Sequence, residues 1–229
     1  MFAMYGEAKS LIDNYGLKEV EGFFAPCPPR LYRGEVNGTE IDVVLNGLDH
    51  YGLDLVGCEA ATLTAQLVLS QLKPDLLINA GTCGAFISKG SAIGDVYLSH
   101  EYINFHDRRI GFDGEWIKAG VGFYPCMDAT QMAADLGFKL GHVTTGSSLD
   151  MLDKDLEYMT ANNGELKEME AAAIAFVAQI YKTPLLCIKS VTDLVDGGRA
   201  TETEFRENLA QASEKLREAV LAVTNYLTK

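Results

Sequence analysis

The residues of this sequence best placed to do chemistry are four carboxylates that the chain can hold rigidly. Glu168 and Glu170 head the run Lys167-Glu-Met-Glu-Ala-Ala-Ala-Ile-Ala-Phe-Val-Ala-Gln-Ile-Tyr181. Its small apolar residues predict a helix over 167–181 packed closely against a sheet. A helix start favours acids, because its first N–H groups are unpaired and its dipole is positive there. Asp193 follows the apolar run Thr183 to Val191. A carboxylate at the end of a buried strand has a raised pKa, which suits a proton donor. Glu7 falls in the first turn of a predicted helix just past a short strand, where open α/β sheets gather ligands. Each of these acids also has an ordinary reading as a helix or turn cap, and no single stretch decides between the two.

The elements that must position them read as a mixed α/β domain. Residues 1 to 4 form the end of a short buried strand, and a helix follows from Tyr5 to Asn14. Leu31 to Val36 and Glu40 to Leu45 flank Asn37-Gly38, a strong hairpin signal, so the sheet contains an antiparallel pair. Gly57 to Leu72 has helical spacing and stops before Lys73-Pro74. Asp75 to Ala80 is a buried strand that runs into Gly81-Thr82-Cys83-Gly84. There a backbone N–H and the Thr82 hydroxyl can approach a ligand closely. Neither a GxGxxG fingerprint nor a Walker lysine accompanies it.

A strand from Gly94 to Ser99 leads into the irregular connection His100 to Arg109. Ile110 to Cys126, rich in glycine and aromatics and holding the sole tryptophan, Trp116, reads as a long loop that covers a site or meets a partner subunit. A helix near Met127 to Leu136 and a strand near His142 to Thr145 precede the loop Thr145 to Met151. Thr201 to Thr228 is a long amphipathic helix with Phe205, Leu209, Leu216, Val220, Val223 and Leu227 facing inward. With no repeat or linker, residues 1–229 read as a single domain.

Composition narrows the partners. A formal charge of −13 over 229 residues argues against nucleic acid, whose phosphates are bound by Lys and Arg, and favours a small-molecule ligand. No apolar run is long enough to span a bilayer, so no membrane partner is expected. The five cysteines are scattered and form no CxxC pair, the usage of a reducing, cytoplasmic compartment. His50, His100, His106 and His142 lack HExxH spacing, so no metal is expected.

In order along the chain, Ala3-Met-Tyr-Gly-Glu-Ala8, Asn79-Ala-Gly-Thr-Cys-Gly84, Phe105-His-Asp-Arg-Arg-Ile110, Thr145-Gly-Ser-Ser-Leu-Asp-Met151, Lys167-Glu-Met-Glu-Ala-Ala-Ala173, Lys189-Ser-Val-Thr-Asp-Leu-Val-Asp-Gly197 and Glu204-Phe-Arg-Glu-Asn-Leu209 resemble the nucleoside phosphorylase superfamily. Within it they resemble the plant-type 5'-methylthioadenosine/S-adenosylhomocysteine nucleosidases. The resemblance implies a three-layer αβα sandwich around a central mixed β-sheet, a homodimer, and hydrolysis of the N-glycosidic bond of 5'-methylthioadenosine, with S-adenosylhomocysteine as a second candidate, without a cofactor. It implies that Asp193 protonates adenine N7 and that Glu7 activates the attacking water. Glu170 would bind the ribose hydroxyls, Met169 would pack on the sugar and its thio group, main-chain groups near Leu149 and Asp150 would read adenine, and Phe205 would close the 5' pocket. Lys167 and Glu168 would be local supports.

The alternatives are a phosphorylase, a futalosine-type hydrolase and a non-catalytic nucleoside-binding module. Superfamily phosphorylases carry an arginine ahead of the glycine-bracketed segment, and this chain reads Ile78-Asn-Ala-Gly81 there. A phosphate dianion needs such cations and would be repelled by Glu7.

Overall fold

A computed structural model describes residues 1–111 and 114–228. The chain runs α1 (Tyr5–Tyr15), β1 (Lys18–Glu19), β2 (Arg30–Val36), β3 (Thr39–Leu45), α2 (Cys58–Gln71), β4 (Leu77–Ala85), β5 (Val96–Phe105), α3 (Glu115–Val121), β6 (Tyr124–Pro125), α4 (Thr130–Leu136), β7 (Lys139–Thr145), α5 (Asp153–Ala161), β8 (Leu166–Glu168), α6 (Ala171–Tyr181), β9 (Leu185–Leu194) and α7 (Thr201–Leu227). The expected hairpin forms with Val36 opposite Thr39, and Asn37 and Gly38 both have positive φ, as a tight two-residue turn requires.

Six strands pair in the order β6-β5-β7-β8-β4-β9. The first residues of β5 also pair antiparallel with β9, so the sheet curls back on itself. The segment before α1 joins the hairpin to this sheet. Phe2 N–H donates to Val44, the Met1 nitrogen donates to the Ile78 carbonyl at 2.7 Å, and Ala80 N–H donates to Met1.

Helices cover both faces. Successive residues of β9 point oppositely. Leu185 and Cys187 meet Ala61, Ala65 and Val68 of α2 and the alanines of α6. Leu186 and Ile188 meet Leu11 and Ile12 of α1 and Leu216, Val220 and Val223 of α7. Alanine at 171–173, 175 and 178 lets α6 lie close to the strands, and all five are buried.

Several boundaries depart from the sequence reading, each for a tertiary reason. The helix expected over 167–181 begins only at Ala171, because the backbone of Leu166 to Glu168 is drawn into a ladder between β7 and β4. The glycine-bracketed segment 81–84 is strand as well, paired with β9 as far as Ala85 opposite Leu194. β5 runs on to Phe105, through residues read as an irregular connection. Its register against β7 shifts between Ser99 and Ile103, a bulge that disguises the alternation.

The expected loop over 110–126 contains α3 and β6, while Phe112 and Asp113 lie outside the described residues. Leu227, expected to face inward, is 40% exposed. The end of this helix of 27 residues meets the hairpin turn, where Asn37 Nδ2 donates to Asn225 Oδ1 and Thr228 Oγ1. Among the described residues no helix is long and apolar enough to cross a membrane.

Candidate active site

The carboxyl ends of β4 and β9, the start of α1, the strand β8 and the start of α7 enclose a cavity of about 250 Å³. Its lining includes Met4, Glu7, Val56, Gly81, Thr82, Leu149, Lys167, Glu168, Met169, Glu170, Lys189, Thr192, Asp193 and Phe205. The structure thus brings together all the candidate site residues except Asp150, which is exposed and absent from the lining. None of the described residues of 110–126 reaches the cavity, so within this chain that segment is not its cover.

Glu7 is buried in the first turn of α1. Its Oε1 accepts from Thr82 N–H at 2.8 Å and from Thr82 Oγ1 at 2.9 Å, and its Oε2 faces Met4 N–H at 3.4 Å. The donors that the sequence reading offered to a ligand at Thr82 are therefore directed at Glu7. Burial raises the Glu7 pKa, against the pull of the Thr82 donors and the charge of Lys189.

Asp193 lies within β9 and is 3% exposed. Thr192 Oγ1 donates to its Oδ1 at 2.8 Å. Gly84 stands opposite it in the ladder, and a Cβ there would come within 2.5 Å of Asp193 Oδ2, so only glycine admits the carboxyl. Burial pushes the Asp193 pKa up, partly offset by Thr192 and Lys167 and reinforced by Glu204.

Between these two acids lies an ion pair with both side chains 1% exposed, Lys189 Nζ to Glu168 Oε2 at 2.8 Å. Burial opposes ionisation of Glu168, but the Lys189 charge, the Thr145 hydroxyl and main-chain N–H donors outweigh it and hold the pKa low. Burial likewise opposes charge on Lys189, yet Glu168 beside it drives its pKa upward. Glu168 caps α6 from the strand before it, accepting from Glu170 N–H at 3.0 Å and from Ala171 N–H at 2.9 and 3.0 Å. An acid satisfying the first N–H groups of that helix is what the sequence implied. The position of Glu168 is strand, not first turn.

Glu170 stands at the N-cap of α6, and its Oε1 accepts from Gly57 N–H at 2.7 Å. Burial and then the neighbouring Glu168 raise its pKa to about 7. Lys167 Nζ donates to the carbonyls of Ser148 and Leu149 at 3.0 and 2.8 Å. This ties the loop after β7 to the cavity floor, and burial lowers the Lys167 pKa. Asp107 and Arg109, in the motif 105–110, serve the same loop from outside. Asp107 accepts from Ser147 N–H at 2.6 Å and Arg109 binds Asp155 at 2.5 Å.

The sequence reading missed Lys189. Its signal is a cation inside the apolar run Leu185 to Val191, a place lysine occupies only when paired.

A curled mixed sheet between two helical layers, with buried acids gathered at its strand ends, belongs to a known group. The family model of the phosphorylase superfamily matches residues 1–225, and the chain is a member of that family, which bears out the fold and family read from the motifs. More narrowly, it is 40% identical over 233 residues to 5'-methylthioadenosine nucleosidase of Arabidopsis thaliana, covering 99% of this chain and 85% of the relative. It is 39% identical over 231 residues to 5'-methylthioadenosine/S-adenosylhomocysteine nucleosidase of the same plant, covering 99% and 89%. The solved apo structure of Arabidopsis thaliana 5'-methylthioadenosine nucleosidase superposes with a TM-score of 0.95 at 39% identity, covering 98% of this chain and 93% of that one.

Proposed function

We propose that this chain is an N-glycosyl hydrolase that cleaves 5'-methylthioadenosine to adenine and 5-methylthioribose. The observation that carries the reading is the convergence of Glu7, Glu170 and Asp193 on one cavity, all three with pKa values raised by burial. The identity of about two fifths with plant nucleosidases over nearly the whole chain supports the substrate.

In this mechanism Asp193, whose pKa its buried site raises, gives its proton to adenine N7. The C1'–N9 bond breaks with its electron pair going to the purine, and positive charge develops on the ribose. Water attacks C1' while Glu7 takes its proton, and burial makes Glu7 a stronger base than an exposed glutamate. Glu170 accepts hydrogen bonds from the two ribose hydroxyls, as an acceptor-only group can, and its charge favours the cationic state. Met169 packs on the sugar and thio group, Phe205 closes the 5' end, and main-chain groups near Leu149 read the adenine edge.

Water in place of phosphate is supported by the lining, in which the cations are Lys167 and Lys189. The first is held by carbonyls and the second by Glu168. No arginine stands there among the described residues.

The reading includes a homodimer. Leu63 on α2 and Phe176 and Ile180 on α6 are exposed apolar side chains on the outside of that helical layer, and sedimentation is expected to give twice the chain mass. A cytoplasmic location fits the five free thiols. The test of function is adenine release measured side by side on 5'-methylthioadenosine, S-adenosylhomocysteine, adenosine and inosine. The highest kcat/KM is expected on the first, and preference for inosine or adenosine would overturn the assignment.

A further inference from the structure

Away from the cavity, β5 and β7 bring His142 against the adjacent residues His100 and Glu101. The metal-binding atoms of His100, Glu101 and His142 all lie within 4.8 Å of one another. Glu101 Oε2 is 3.3 Å from His142 Nε2, and Glu101 Oε1 is 3.7 Å from His100 Nε2. In a regular strand the neighbours His100 and Glu101 would point to opposite faces. Here the register of β5 against β7 shifts between Ser99 and Ile103 and Glu101 has φ of +54°. The bulge turns both side chains toward His142, as bulges do when they re-aim a residue.

His142 is held on every side. Its ring lies 4.6 Å from that of Tyr102 and 5.3 Å from that of His100, and Tyr102 is backed by Phe123 at 5.1 Å. Its Nδ1 faces Glu165 Oε2 at 3.6 Å, and that oxygen is fixed by His142 N–H at 2.9 Å. A metal at Nε2, on the side of Glu101 and His100, leaves Nδ1 on the side of Glu165, the placement from which a carboxylate orients a metal-binding histidine.

We propose that His100, Glu101 and His142 bind one zinc ion, with Glu165 orienting His142. Two imidazole nitrogens and one carboxylate oxygen form a donor set for zinc rather than for calcium or magnesium, which take oxygen ligands. Bonds of about 2.0–2.1 Å in a tetrahedron place neighbouring donors about 3.3 Å apart. The His142 to Glu101 spacing already meets this, and a small rotation brings His100 in, leaving the fourth position to solvent. The ion pins β5 to β7 at the bulge. None of its ligands lines the cavity, so its effect is on stability and not on the glycosidic bond.

The test uses the full chain stripped with a chelator, titrated with zinc chloride by calorimetry and followed by thermal unfolding. One zinc per chain with micromolar affinity is expected, together with a raised melting midpoint. His100→Ala and His142→Ala should each weaken binding about tenfold or more and abolish the rise in midpoint, with adenine release unchanged as the check on folding. His142→Gln serves if the alanine variant does not fold. Glu165→Gln should weaken binding about 10- to 100-fold, while Cys126→Ser should leave it unchanged. Absence of binding in the wild-type chain, or binding undiminished in the histidine variants, would overturn the site.

Discussion

Two carboxylates of similar burial line the cavity in opposite electrostatic settings. Asp193 has a hydroxyl, a distant lysine and a neighbouring acid, Glu204, and its pKa is raised. Glu168 has Lys189 within 2.8 Å, the Thr145 hydroxyl and three main-chain N–H contacts, and its pKa is lowered. Burial alone therefore does not decide whether an acid carries a proton; the first partner does. The fixed charge on Glu168 also acts on its neighbour, raising Glu170 to about 7. One lysine inside a strand thus separates an ionised anchor, Glu168, from acids whose pKa values are raised.

The comparison breaks if Asp193 does not need its proton. Asp193→Asn is expected to cut adenine release about 10²- to 10⁴-fold, the range for a lost general acid, while a non-cleavable methylthioadenosine analogue binds with little change. Rapid-quench assays read the first and calorimetry the second. Removing the anchor comes next. Lys189→Met leaves Glu168 as a buried unpaired charge, so a stability loss of about 3–5 kcal/mol is expected in urea unfolding. The loss should shrink at low pH, where Glu168 can protonate. Glu168→Gln added to Lys189→Met should recover part of it.

The smallest effect concerns Glu170. Its folded pKa of about 7 exceeds the ordinary 4.5, so between those values the folded state binds more protons than the unfolded chain and stability falls as pH rises. Glu170→Gln lacks this penalty. Its unfolding free energy, read by urea titration, should gain on the wild type from about pH 5 to about pH 8, by at most about 3 kcal/mol at the upper end. In the wild type, kcat/KM should fall as pH drops through about 7, because the ribose hydroxyls then lose their carboxylate acceptor. A parallel pH profile in Glu170→Gln would contradict that role.

Much of this arrangement was legible in the sequence wherever a local pattern and the tertiary structure agree. The hairpin at Asn37-Gly38, the helices α1, α2 and α7 and the buried strand β9 follow from turn chemistry and apolar periodicity. Glu7, Glu170 and Asp193 stood out as candidates by their places at strand ends and helix starts, the motif resemblance supplied their roles, and the fold brings them to one cavity. The limits of β4, β5 and β8 could not, since pairing with distant strands sets them. Gly81 to Gly84 looks like a loop until β9 lies beside it, and Leu166 to Glu168 looks like helix until β7 and β4 claim its backbone. Lys189 was hidden for the same reason, as its partner stands on another strand. Asp150 was carried over by motif position, and the fold leaves its side chain outside the cavity lining.

The claim on which the rest depends is that water, not phosphate, attacks C1'. Incubating the chain with 5'-methylthioadenosine in phosphate buffer and in phosphate-free buffer, and identifying the sugar by mass spectrometry, tests it most directly. The expected result is free 5-methylthioribose in both buffers at the same rate. A sugar 1-phosphate, or a rate that rises with phosphate, would contradict it.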